Sequence, residues 1–159
     1  MTKTEASESR VRQVRPGHGL LSASTLGRVD YADAFDVNVQ RPLDHNAEEW
    51  MRMILEGAPI PTRVRLLSAW STIGLKLQPP GSGRSILGWT VRTADADQIL
   101  LGADSRIGMP GELLLCRRDD RLVFATFARH DNAIARALWA SIERSHVHTV
   151  RPLLERACR

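Results

Sequence analysis

Lysine and aromatic residues are scarce in this chain of 159 residues, and the few lysines are not clustered. Lys3 and Lys76 are the only lysines, and the other basic residues are arginines spread along the chain. No block of basic residues with interleaved aromatic residues is present, although that pattern is typical of nucleic-acid-binding surfaces. The net charge of +4 is therefore not focused into one patch, and we expect no nucleic-acid partner.

Long apolar runs are also lacking. Runs such as Ile99-Leu100-Leu101 are far shorter than the ~20 residues that a membrane-spanning helix needs. No apolar segment of the signal-peptide type follows the start, so we expect a cytoplasmic protein without a membrane span. Cys116 and Cys158 are the only cysteines, and we expect both to be unpaired thiols in a reducing compartment.

The remaining composition is that of a globular domain, with 43% hydrophobic and 25% charged residues. A length of 159 residues favours one domain. Residues 1–27 contain few large apolar side chains and include Pro16-Gly17, so we predict a flexible N-terminal tail there. Residues 28–159 are predicted to form the single folded domain.

The first predicted strand covers Val29 to Val39. Its alternating pattern places Tyr31 and Phe35 on one face, which we expect to be buried. Asp33 has the same phase as these residues and interrupts the apolar pattern. We interpret it as a solvated residue near the strand end.

Two short helices are predicted to follow this strand. Asn46 and Glu49 have the spacing of a capping box at the start of the first helix. The second is predicted to begin at Pro61 or Thr62 and to end at Gly74. A proline-rich corner joins them, so we expect a helical hairpin that packs on a larger element.

From Ser85 onward the apolar residues alternate with period two, which indicates strands joined by short turns. A tight turn at Asp119-Asp120 places Leu115 across from Phe124 and Leu113 across from Thr126. We therefore predict an antiparallel meander whose strands lie at 85–91, 99–103, 112–118 and 121–129.

The longest predicted element is a helix from Asn132 to Ala157, about seven turns at ~3.6 residues per turn. A helical wheel places Ser145, His146 and Thr149 inside an otherwise apolar arc. That mixture suits a helix lining a cavity, and it also suits a core helix with a few satisfied hydrogen bonds. The apolar members of the arc are Ile134, Leu138, Trp139, Ile142, Val150 and Leu153.

The order strand, two helices, antiparallel meander and long C-terminal helix predicts an α+β fold in which a curved sheet wraps around the final helix. Three segments strengthen this interpretation: residues 30–35 (DYADAF), residues 99–106 (ILLGADSR) and residues 150–154 (VRPLL). On these segments the chain resembles the helix-grip, or START-like, SRPBCC superfamily. Within it, the chain is similar to an uncharacterised family of bacterial domains of unknown function. The resemblance covers about residues 29–157.

The resemblance implies a hydrophobic cavity between the sheet and the long helix, used by the superfamily for lipids, sterols, polyketides or hormones. Three functions follow as alternatives: a binder of a small hydrophobic molecule; a cyclase, dehydratase or hydrolase with His146 as general base; and a structural or regulatory domain with a filled core. We expect no cofactor, and a monomer or homodimer. Candidate pocket residues are Trp50, Trp70, Trp89, Leu101, Leu115, Phe124, Leu138, Trp139, Ile142, Ser145, His146 and Thr149.

The histidines do not predict a metal site. His146 and His148 are two residues apart, so on a helix their side chains diverge by ~200°. His146 is the one candidate for acid–base chemistry, and an alternative role is a buried neutral histidine bonded to a backbone carbonyl. The four tryptophans fall on apolar faces of different elements, which suits either core packing or the walls of a pocket.

Overall fold

Seven strands form one curved antiparallel sheet in the order β1-β2-β7-β6-β5-β4-β3, and a long helix ends the chain. The computed structural model describes residues 10–81 and 83–159. The α+β class predicted from the sequence is confirmed. The elements are β1 (Val11–Val14), α1 (His18–Leu21), β2 (Tyr31–Val37), α2 (Ala47–Leu55), α3 (Ile60–Thr72), β3 (Ser85–Ile86), β4 (Trp89–Ala94), β5 (Gln98–Ala103), β6 (Gly111–Arg117), β7 (Leu122–Ala128) and α4 (Ala133–Ala157).

The central hairpin has the predicted register. Leu115 of β6 pairs with Phe124 of β7, and Leu113 pairs with Thr126. Because side chains alternate across a strand, these four residues share one face of the sheet. Helices α2, α3 and α4 contribute to the hydrophobic cluster on this face, which we call the inner face.

The strand predicted to run from Ser85 through Val91 is instead a small hairpin. Ile86 of β3 pairs with Trp89 of β4, so Leu87 and Gly88 form the turn between them. Both turn residues have positive φ, 45° at Leu87 and 87° at Gly88. A two-residue turn of this type normally takes Asn or Gly, and a leucine at its first position does not signal a turn in the sequence.

Local sequence signals set the helix ends as predicted. The Asn46 side chain accepts from the Glu49 amide at 2.8 Å, and the Glu49 carboxylate accepts from the Asn46 amide at 2.8 Å, which is a complete capping box. Helix α3 begins at Ile60, one residue earlier than predicted, and is followed by Gly74 with φ of 85°. Asn132 caps α4 by accepting from the Ala135 amide at 2.8 Å.

The N-terminal segment corrects the prediction of a flexible tail, since residues 10–27 are folded against the sheet. Strand β1 pairs with β2 along its whole length, and Val11 is fully buried. Leu26 is buried in a cluster on the outer face of the sheet. Backbone pairing and a few contacts on this face hold a segment that contains few large apolar residues. Residues 1–9 of the predicted tail lie outside the described residues.

The buried carboxylate of Glu112 holds residues 24 and 25 against the outer face of the sheet by hydrogen bonds. Glu112 of β6 is 0% exposed and accepts from the Ser24 hydroxyl at 2.5 Å. It also accepts from the Thr25 amide at 3.0 Å and from the Thr25 hydroxyl at 2.5 Å. Arg92 lies across Gly102, where a Cβ atom would fall 1.6 Å from its Nε, and donates to the Thr25 hydroxyl at 3.2 Å. We call these contacts of Glu112 with Ser24 and Thr25 the outer clamp.

Helix α4 is buried mainly at its C-terminal end, which corrects the helical-wheel prediction. Leu154 is fully buried, together with Val150 and Leu153. By contrast, Ile134 is 76% exposed, and Leu138 and Ile142 are only half-buried. The C-terminal part packs on α2 and on β1, whereas the N-terminal part overhangs the end of the sheet near β2. No helix in the described ranges has the length and apolar character to cross a membrane.

Candidate functional site

A small cavity lies between the inner face of the sheet, α3 and the middle of α4. Its volume is about 50 Å³. One water molecule occupies ~30 Å³ of liquid, so this space holds one or two waters in the structure as it stands. It is well below the ~300 Å³ of a typical pocket for a lipid-sized ligand. The lining residues are Trp70, Ile73, Leu75, Trp89, Met109, Gly111, Leu113, Thr126, Phe127, Ala128, Trp139 and His146.

A buried carboxylate, that of Asp33, lies next to the cavity and contacts the lining residue His146. Asp33 of β2 is only 3% exposed, and its Oδ2 accepts the Tyr31 hydroxyl at 2.7 Å. His146 of α4 places its Nε2 3.0 Å from the same oxygen. This distance is that of an ion pair, but the direction of the imidazole does not give a hydrogen bond. One carboxylate oxygen thus contacts Tyr31 on its own strand and His146 on α4.

Burial and the neighbouring carboxylate together raise the pKa of the Tyr31 phenol far above its ordinary value. Burial is the larger cause, and the hydrogen bond to Asp33 adds to it. A phenol whose pKa is raised stays protonated and continues to donate. Tyr31 is therefore a fixed hydrogen-bond donor to Asp33.

Aromatic rings form two walls of the cavity. Trp70 of α3 and Trp89 of β4 meet edge to face, with ring centroids 5.4 Å apart and an interplanar angle of 90°. On the opposite side, Trp139 of α4 lies 4.7 Å from Tyr31 and 5.2 Å from His146, measured between ring centroids. Edge-to-face and tilted pairs of this kind are the favoured arrangements of neighbouring aromatic rings.

Several buried polar atoms at this site lack a hydrogen-bond partner within residues 10–81 and 83–159. Four belong to the cavity lining: the indole Nε1 of Trp89, the indole Nε1 of Trp139, the hydroxyl of Thr126 and the Nε2 of His146. The Oδ1 of Asp33 and the Nε2 of His130 are also buried without a partner. Since an unpaired buried polar group costs ~1–3 kcal/mol, these atoms need partners that the described part of the protein does not supply.

The predicted pocket residues separate into four groups. Trp70, Trp89, Trp139 and His146 line the cavity. Trp50, Leu101, Leu115 and Phe124 lie in the inner hydrophobic cluster away from it, and the Trp50 indole donates to the Pro42 carbonyl at 2.8 Å. Leu138 and Ile142 pack beside Trp139 at the end of the sheet. Ser145 and Thr149 face a separate open groove between α3 and α4.

Sequence reasoning missed Asp33, Tyr31 and Thr126 as site residues. The prediction that Asp33 is solvated at a strand end is wrong, because its position across from Thr126 places it on the inner face. The alternating pattern already placed Asp33 on the face predicted to be buried. A buried carboxylate needs a hydrogen-bond or charged partner, so the position could have indicated a site. Tyr31 is two residues from Asp33 and has the same phase, whereas His146 is 113 residues away and nothing local indicates its contact. His146 and His148 diverge as predicted, one toward the cavity and the other toward the groove.

Comparison of this chain with family models, with curated proteins and with solved structures yields no match. The geometry of the site is therefore the only guide to its function.

Proposed function

We propose that the protein binds a small, mainly apolar molecule that carries a hydrogen-bond-accepting oxygen, in the cavity between the sheet, α3 and α4. The observation that carries this proposal is the pair of unpartnered indole N–H groups, on Trp89 and Trp139, in a lining whose only other polar side chains are Thr126 and His146 among the described residues. Indole nitrogens only donate, so they select an acceptor such as a carbonyl oxygen. The tryptophan rings supply flat surfaces for the apolar body of the ligand.

We also propose that the fold is of the helix-grip, START-like type. The arrangement of seven antiparallel strands, two helices after β2 and a long C-terminal helix supports this assignment. The structure has seven strands, whereas the sequence predicts about five. The pattern does not indicate β1, and it predicts the β3–β4 hairpin as a single strand. A sheet of this width with helices on its inner face is compatible with a ligand site between them.

Binding requires α3 and the N-terminal part of α4 to separate, because the space of about 50 Å³ between them and the sheet is smaller than an aromatic ring compound. Two features keep the free energy of this separation low. Helix α3 has only one fully buried side chain, Leu66. The part of α4 that covers the cavity is half-buried at Leu138 and Ile142. Elements with few buried apolar contacts open at low free-energy cost.

Acetophenone and α-methylstyrene test the proposal, because they have nearly the same shape and only the first has an acceptor oxygen. Ligand-observed NMR should detect acetophenone binding at least fivefold more tightly than α-methylstyrene. Trp139→Phe removes the indole N–H and keeps a ring, so it should abolish this preference. Trp50→Phe is the matched control, since Trp50 lies outside the cavity, and should leave it unchanged. Equal binding of the two compounds, or no binding of either, would contradict the proposal.

A second candidate function is catalysis with His146 as general base. The 3.0 Å approach of its Nε2 to the buried Asp33 favours this, because catalytic histidines commonly lie beside a carboxylate. His146→Gln separates the two functions. A binder should retain its affinity for acetophenone within a few fold, whereas an enzyme of the cyclase, dehydratase or hydrolase type should lose turnover by ~10²-fold or more.

A further inference from the structure

An open groove of about 530 Å³ runs between α3 and α4, next to the cavity. Its polar lining combines two arginines, Arg65 and Arg156, with one histidine, His148. None of the described aspartates and glutamates lines it. The chain between residues 57 and 94, which includes all of α3, also contains no acidic residue. The full set of lining residues is Pro59, Thr62, Arg65, Ser145, His148, Thr149, Pro152, Leu153 and Arg156.

The basic side chains of the groove are not neutralised. Within the described part of the chain, neither Arg65 nor Arg156 nor His148 takes part in an ion pair. Nine of the other 18 arginines of the described chain are paired, for example Arg52 with Glu48 and Arg117 with Asp97. A groove that concentrates unpaired positive charge attracts an anionic group.

Arg156 is held in place at the groove. Its Nη2 donates to the Met53 carbonyl at 2.9 Å, near the C-terminal end of α2. Its Nε is buried and has no partner among the described residues. The hydrogen bond to Met53 restrains the guanidinium at the groove. Carboxylates and phosphates accept from guanidinium groups more strongly than neutral oxygens do.

The groove and the cavity are neighbours along one helix seam. On α3, the groove residue Arg65 precedes the cavity residue Trp70 by five positions, which is about 7 Å at 1.5 Å per residue. On α4, the groove residue Ser145 is adjacent to the cavity residue His146. A molecule of modest length can thus reach from one to the other without leaving the seam.

From this continuity we infer that the ligand is an amphipathic anion. Its apolar end, with the acceptor oxygen, occupies the cavity, and its carboxylate or other anionic group lies in the groove against Arg65, His148 and Arg156. This inference rests on the proposed function, because it names the class of molecule that the same site takes. Opening of the seam between α3 and α4 admits both ends of the ligand together.

A charge series built on acetophenone tests the inference. The probes are acetophenone itself, 4-(4-acetylphenyl)butanoate and 4-(4-acetylphenyl)butylammonium, measured by ligand-observed NMR at low salt. The butanoate should bind about fivefold more tightly than the ammonium compound, which is the size expected of exposed ion pairs. Arg65→Glu should remove or reverse that preference. Arg136→Glu makes the same change of charge at an exposed position of α4 outside the groove and should leave the preference intact.

The outcomes separate the two proposals. If acetophenone binds but the butanoate and the ammonium compound bind equally, the anionic class is wrong and the proposed function stands. The same conclusion follows if Arg136→Glu weakens the butanoate as much as Arg65→Glu does, because the effect is then one of net charge. If acetophenone does not bind, the proposed function fails and the inference fails with it.

Discussion

The Nε2 of His146 lies 3.0 Å from the Oδ2 of Asp33, and this contact joins the middle of α4 to the second strand of the sheet. The Asp33 side chain is 2% exposed and that of His146 is 18% exposed. The same carboxylate oxygen accepts the Tyr31 hydroxyl, so its loss affects two partners at once.

Replacing Asp33 with Ala should lower the free energy of unfolding by about 1–3 kcal/mol, because the buried Tyr31 hydroxyl loses its acceptor. Urea denaturation measures this. A double-mutant cycle with His146→Ala should give a coupling energy above about 0.5 kcal/mol, as expected for side chains in contact. The control cycle pairs Asp33→Ala with His148→Ala, because His148 faces the groove instead. Additivity in both cycles would show that Asp33 and His146 do not interact in solution.

Tyr31 is the only tyrosine, so its titration can be followed directly by near-ultraviolet absorbance. Its pKa is raised in the folded protein, chiefly by burial. The stability that comes from the neutral phenol is therefore fully present below pH ~10, the pKa of an exposed tyrosine, and is lost as the pH rises above it. We expect tyrosinate to appear only together with unfolding, monitored by circular dichroism. A tyrosinate signal near pH 10 in a folded protein would show that the phenol is solvated.

Three truncations to alanine test where the sheet holds α4. Leu154→Ala should cost about 2–5 kcal/mol, because Leu154 is fully buried. Ile142→Ala should cost less than half of that, since Ile142 is half-buried. Ile134→Ala should change stability by no more than about 0.5 kcal/mol, because its side chain is 76% exposed. The measurement is the free energy of unfolding in urea. A larger loss at Ile142 than at Leu154 would reverse the described orientation of the helix.

Helix α4 shows which structural features the sequence alone predicts. Its start at the Asn132 cap and its length follow from local signals, and both are confirmed. The helical wheel also placed Ile134 and Leu138 on the buried arc. A helical wheel describes only the helix, however, and gives no information on where the sheet that covers it ends. Because the N-terminal part of α4 overhangs the sheet, apolar residues of the same phase have very different burial along its length.

The same difference between local signals and long-range packing explains which features of the site could be predicted. Alternation of residues around Phe124 and Leu115 predicted the register of the central hairpin, since period two and a tight turn leave one solution. The four tryptophans were correctly expected on apolar faces, and three of them line the cavity. Asp33 and His146 meet only after the chain has folded, so nothing local to either residue indicates the pair. Long-range polar partners of this kind need the three-dimensional arrangement.

The outer clamp supplies the last prediction, because it decides whether residues 18–29 are part of the folded domain. Glu112→Ala removes the acceptor of Ser24 and Thr25, and the freed donors then bond to water only if the segment leaves the sheet. We expect the amides of residues 18–29 to exchange with deuterium at least tenfold faster, measured by mass spectrometry, with a loss of about 1–3 kcal/mol in global stability. Asp104→Ala is the control, since it removes only the 3.4 Å ion pair of exposed Asp104 with Arg92. Unchanged protection of residues 18–29 in Glu112→Ala would mean that the pairing of β1 with β2 and the buried apolar residues hold the segment without the carboxylate. Fast exchange of the same residues in the unmodified protein would restore the flexible tail that the sequence predicts.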